Sequence, residues 1–106
     1  MCLAMTTVAD RSQAERLASV LVERHLAACV SLGSSVTSIY PWQGRIESEA
    51  EIPLTIKTAP SRLEALKAAL AELHPYDVPE LLVLPVVDGS KAYIEWACDW
   101  MNDEKN

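Results

Sequence analysis

At 106 residues the chain is the size of one domain, and its balance of 50% hydrophobic and 23% charged residues belongs to a folding chain, not a disordered one. A formal net charge of -6, with no cluster of Lys or Arg, argues against nucleic acid, whose binding depends on cations that neutralise phosphate. No apolar run approaches the roughly 20 residues needed to cross a bilayer, and Cys2, Cys29 and Cys98 are an odd, scattered set without CxxC spacing, which reads as reduced thiols in the cytoplasm.

The opening Met1 to Val8 lacks a basic stretch and a long apolar core, so it is expected to be a strand and not a signal peptide. Ser12 and Glu15 have capping-box spacing, and Ala14, Leu17, Ala18, Leu21 and Val22 recur at helical intervals. A first helix from about Ser12 to His25 follows, with His25 as its C-terminal cap. The segment Leu26 to Tyr40 reads as a strand bent near Gly33, Ser34 and Ser35. Pro41 to Arg45 forms a hairpin connection, and Ile52, Leu54 and Ile56 then alternate with polar residues on a strand with one buried face. Pro53 has no N–H for a ladder bond, which places it at an edge or a bulge.

Ser61 and Glu64 repeat the capping-box spacing, and Leu63, Leu66, Leu70 and Leu73 form one helical stripe. The run His74 to Pro79 stops that helix. Leu81 to Val86 is nearly all apolar and is expected to be a strand covered on both faces. After Asp88, Gly89 and Ser90 turn the chain, a last helix is expected from Lys91 to Asp103. The order β-α-β-β-α-β-α predicts an α+β, ferredoxin-like domain spanning 1–106, βαββαβ plus a C-terminal helix. Two helices cover one sheet face and little remains for the other, so a homo-oligomer is expected, with the long hairpin as its arm.

Thr6-Thr7, Leu26-Ala27-Ala28-Cys29-Val30, Ser38-Ile39-Tyr40-Pro41-Trp42-Gln43-Gly44, Ile56-Lys57-Thr58 and Leu73-His74-Pro75-Tyr76-Asp77-Val78-Pro79-Glu80 occur in this order. With these spacings the chain closely resembles the CutA family, the divalent-cation tolerance proteins, from Cys2 to about Met101. The resemblance implies a tight homotrimer like that of the PII signalling proteins, with clefts between subunits, and an association with copper and other divalent cations. It attaches no enzymatic chemistry to these motifs. Pro53 departs from the aliphatic residue usual at that strand position.

Cys29 and His74, at matching family positions, are the candidate metal residues, because thiolate and imidazole suit copper. Their structural alternatives are a small buried hydrophobe for Cys29 and a helix-terminal cap for His74. They do not make a full ligand set, and the places where some relatives carry a further Cys or His hold Thr6 and Leu73 here. Tyr40, Trp42, Lys57, Tyr76 and Glu80 form a second constellation, expected at the cleft or subunit interface. Trp42 would pack into a neighbour, and Lys57 with Glu80 would hold a small anion or bridge subunits. Glu47, Glu49 and Glu51 are expected on a solvated edge. No GxGxxG, Walker A, HExxH or GxSxG pattern is present, so no enzyme is expected. The competing functional class is a sensor or adaptor that takes a metabolite or protein at the cleft.

Overall fold

The elements in chain order are β1 (Cys2–Val8), α1 (Arg11–Glu23), β2 (Cys29–Leu32), β3 (Val36–Trp42), β4 (Arg45–Thr58), α2 (Leu63–Leu73), β5 (Leu82–Pro85) and α3 (Lys91–Met101). The computed structural model describes residues 1–102, so the expected end of the last helix at Asp103 lies outside the described residues. All strand pairings are antiparallel. The order across the sheet is β2-β4-β1-β5, with β3 pairing the first part of β4. The class is α+β, an antiparallel sheet with three helices.

Period-two alternation builds the core. Ile52, Leu54 and Ile56 of β4 lie opposite Val8, Thr6 and Ala4 of β1 and bury against Leu17 and Leu21 of α1 and Leu66 and Leu70 of α2. Each such side chain contributes about 1.5–3 kcal/mol when removed from water. Toward its start β4 leaves this cover. From Arg45 to Ala50 it pairs only with β3, as a hairpin closed by Gln43 and Gly44 at φ 50° and 78°. Two positive φ angles make a two-residue turn of the primed kind that matches strand twist, so the connection is shorter than Pro41 to Arg45.

The predicted bend near Gly33 is a bulge. Gly33 N–H donates to Pro53 O at 2.9 Å, and pairing resumes at Val36 opposite Glu51, so Ser34 and Ser35 face Ile52 alone. Pro53 therefore sits in an inner strand, at the point where the neighbouring ladder is interrupted. Its missing N–H would leave Gly33 O without a donor, and the Arg11 guanidinium supplies one at 2.8 Å.

Both helix starts differ from expectation. Asp10, not Ser12, caps α1: its carboxylate accepts from Gln13 N–H at 2.8 Å, and the Ser12 hydroxyl donates to the same oxygen. The Gln13 bond leads in holding the Asp10 carboxyl below the usual range. Ser61 does not cap α2 either. Pro60–Arg62 form a 3-10 turn entered at Pro60, and Glu64 turns to Lys67 at 3.2 Å.

At the other end of α1 the helix stops at Glu23, and His25 follows in the left-handed region at φ 59°. Leu26 N–H bonds Leu21 O and His25 N–H bonds Val22 O, the paired bonds of a Schellman cap. His25 thus closes the helix as expected, from outside it. Its ring stacks on Trp100 at 3.9 Å between centroids, and the Trp100 indole N–H donates to Val22 O.

α3 is capped by the Ser90 hydroxyl and fastened at its far end. Ala97 and Met101 pack on Ala28 and Ala59, and the Arg62 guanidinium donates twice to Met101 O. Fastened over the strand ends, α3 leaves β5 uncovered. Leu82 is 59% exposed and Leu84 48%. The expectation of a strand covered on both faces is corrected: β5 is the outer strand of the sheet, and its apolar composition is not matched by burial within one chain. Among the described residues no helix is long and apolar enough to cross a membrane.

Candidate functional site

Two polar groupings lie along β1. At its C-terminal end the loop after α2 folds back over Thr6 and Thr7. His74 is buried there. Its Nδ1 accepts from Tyr76 N–H at 3.1 Å, which puts the ring proton on Nε2, 2.9 Å from Thr7 O and 3.2 Å from Thr6 Oγ1. Burial dominates its titration and pushes the imidazole below its ordinary value, against the opposing pull of Thr7 and Glu51.

Glu51 is the partner that the sequence did not reveal. It was expected on a solvated edge with Glu47 and Glu49, and it is buried instead. The Thr7 hydroxyl donates to its carboxylate at 3.0 Å and the Tyr76 hydroxyl at 2.9 Å. Burial alone would raise the Glu51 carboxyl, but hydrogen bonds from Ser38, Tyr76 and Thr7 outweigh it and hold it below the usual range. The same burial and the Glu51 contact push the Tyr76 phenol up. The edge assignment fails because Glu51 lies where β4 passes from the hairpin to its pairing with β1, and Thr7 and Tyr76 close over it there. The only sequence signal was the position of Glu51 two residues before Pro53.

The second grouping sits on the sheet face away from α1 and α2. Cys29 and Lys57 are directly opposed in the β2–β4 register. The Lys57 ammonium lies 3.8 Å from Cys29 Sγ and donates to Ser31 Oγ at 2.6 Å. Tyr93 of α3 stands nearby, its phenol raised first by burial and then by the Cys29 thiol. Along β1, Cys29 is level with Leu3 and His74 with Thr6 and Thr7, roughly 10 Å apart in the strand direction.

The other candidates distribute between these two places. His74, Tyr76 and Glu80 line one cavity of about 330 Å³ with Leu70, Ala71, Asp77 and Leu81. Glu80 is in the loop ahead of β5 and not on it, and Lys57 makes its contacts with Ser31 and Cys29 instead of Glu80. Tyr40 is opposite Glu47 on the hairpin, and Trp42 stands beside the turn, 51% exposed. Cys2 is buried and Cys98 is half-buried on α3.

Cys29 offers one sulfur ligand, whereas both ring nitrogens of His74 are engaged as folded. Among the described residues no group of three or more His, Cys, Asp or Glu is placed to hold a metal ion.

Fold and site together define a small α+β domain with a core between sheet and helices, a Glu–Tyr–His cluster whose Glu51 and His74 are buried, and an apolar strand and hairpin left bare. The chain belongs to the CutA1 divalent ion tolerance protein family, whose profile matches residues 2–99. It is 45% identical over 92 residues to the divalent-cation tolerance protein CutA of Pectobacterium atrosepticum, covering 87% of this chain and 84% of that one. The structure of CutA from Synechococcus elongatus superposes with a TM-score of 0.91 at 41% identity, over 94% of this chain and 88% of the other. CutA from Xylella fastidiosa gives 0.92 at 38% identity, over 95% and 97%. The relatives are named as tolerance proteins, not as enzymes.

Proposed function

We propose that the chain is the ferredoxin-like subunit of a PII-like homotrimer that serves divalent-cation tolerance without catalysis, in the cytoplasm, and that it meets copper through Cys29. The observation that carries the assembly is the uncovered outer strand. Leu82, Val83 and Leu84 of β5 are exposed together with Val87, and the hairpin adds Ile39, Trp42 and Ile46. Large apolar side chains bared on an outer strand and again on the hairpin are unusual for a monomer and typical of interfaces. Light scattering should give three times the 11.7 kDa chain mass. A monomer would overturn the assembly.

Copper contact rests on chemistry more than on a formed site. A half-buried thiol suits Cu(I), and further ligands must come from a neighbouring subunit or from rearrangement. His74 can join only by releasing the Tyr76 N–H from Nδ1. Calorimetric titration with Cu(I) and Cu(II) separates the contributions. Cys29→Ala should weaken binding at least tenfold and His74→Ala less, and unchanged affinity in the double variant sinks the copper reading.

The second reading is a cleft sensor. It is favoured by the single cavity that gathers His74, Tyr76 and Glu80. A metabolite held there would raise the thermal midpoint by mass action, and a screen in which copper alone shifts it removes this reading.

A further inference from the structure

We propose that Cys29 and Lys57 form an oxidation-triggered covalent link between β2 and β4, an S–N bond that peroxide installs and thiols remove. The proposal stands whether or not Cys29 meets a metal. Its ground is the pairing already described. The two residues are directly opposite in register, so their side chains leave the same sheet face with Cβ atoms roughly 5 Å apart. The amine and sulfur already lie at 3.8 Å. The backbone around them is held by the Ala28 N–H to Lys57 O bond at 2.9 Å and by the packing of Ala28 under α3. Ser31 Oγ accepts from the same ammonium and keeps it over the sulfur instead of in solvent. Among the described residues Lys57 makes no ion pair with a carboxylate. Among the described residues Lys57 and Cys29 are the lysine and cysteine side chains in hydrogen-bond contact.

The chemistry balances in two steps. Hydrogen peroxide takes two electrons from the Cys29 sulfur, its O–O bond breaks, and the products are the sulfenic acid Cys29–S–OH and one water. The free amine of Lys57 then attacks that sulfur. The S–N bond forms as the S–O bond breaks, and the hydroxyl leaves with an amine proton as a second water. A sulfenic acid condensing with a nearby nitrogen is the reversible branch of the cysteine oxidation ladder, and it competes with over-oxidation to sulfinic acid. The link would spare the Cys29 thiol from that irreversible fate and fix the β2–β4 ladder covalently.

The test is peroxide treatment of the assembled protein in a Cys2→Ser/Cys98→Ser background, read by intact mass and tryptic mapping. The expected product is about 2 Da lighter, two hydrogens having been lost. It carries the Cys29 peptide joined to one in which trypsin has failed to cut at Lys57, and dithiothreitol restores the starting mass. Lys57→Arg keeps the positive charge but lacks the amine, and it should abolish the link and leave Cys29 several-fold more prone to gain two oxygens. Over-oxidation of Cys29 at the same rate in the Lys57→Arg variant as in its parent, or a thiol untouched by peroxide, overturns the proposal.

Discussion

The two halves of β4 share one strand and live in different surroundings. From Ile52 to Thr58 every second residue is buried, and Ile52, Leu54 and Ile56 lie beneath α1 and α2. From Arg45 to Ala50 the same alternation faces solvent on both sides, and Ile46 is 73% exposed. The molecule measures 45 × 27 × 22 Å, and the hairpin accounts for its long axis. Hydrophobic alternation thus reports a buried face, but not whose chain buries it. The inner half is finished by its own helices, and in the proposed trimer the outer half is finished by a neighbour.

The largest test of this contrast compares two isoleucines on β4. Ile56→Ala should cost about 2–5 kcal/mol in denaturant unfolding at any protein concentration, because it opens a void in a closed core. Ile46→Ala should show a loss that depends on concentration and is recovered as the protein is concentrated, the mark of an effect on association. Equal, concentration-independent losses would erase the distinction.

Two glutamates sharpen it further. Glu51→Ala strands the Thr7 and Tyr76 hydroxyls and should cost about 1–3 kcal/mol. Glu49→Ala, only two residues away but exposed, should stay within about 0.5 kcal/mol.

Acid should act on the inner half in two stages. His74 and Glu51 both titrate below their ordinary values of 6.5 and 4.5 when folded. A group with a depressed folded pKa adds stability above its unfolded value and loses it as pH falls through the folded one. Urea midpoints should therefore fall first below pH 6.5 and again below pH 4.5. His74→Asn should flatten only the upper stage, and a profile rising toward acid would contradict both assignments.

The smallest expected effect lies at the cap of α1. Asp10→Ala should lower the urea midpoint slightly and Ser12→Ala less, since Ser12 only supports the capping carboxylate.

Much of the fold was legible because periodicity and punctuation agreed. Leu17 and Leu21, Leu66 and Leu70, and Ile52 to Ile56 each announced their buried face, and Gly33 with Pro53 marked the irregularity between strands. Caps were misplaced because Ser12 and Ser61 offered the right spacing while Asp10 and Pro60, nearer the preceding strands, made the better starts. The β5 strand misled because an apolar run reads alike whether it is covered by its own chain or by another. The candidate site was legible by residue type and not by grouping. Cys29 and His74 belong to separate neighbourhoods, and Glu51 was hidden among like charges, since only the tertiary approach of Thr7 and Tyr76 decides which glutamate is covered.

That bulge also constrains how the sequence can change. A Cβ on Gly33 would lie 2.8 Å from Pro53 Cγ, so no other residue fits there while the proline ring remains. Exchange at the two positions is therefore ordered: Pro53 must give way to a slimmer side chain before Gly33 can be replaced, and the reverse order passes through a strained intermediate. Once position 53 regains its N–H, the tie from Arg11 to Gly33 O becomes dispensable and position 11 is free to drift. An unusual proline in an inner strand thus acts as a ratchet on two distant positions of the chain.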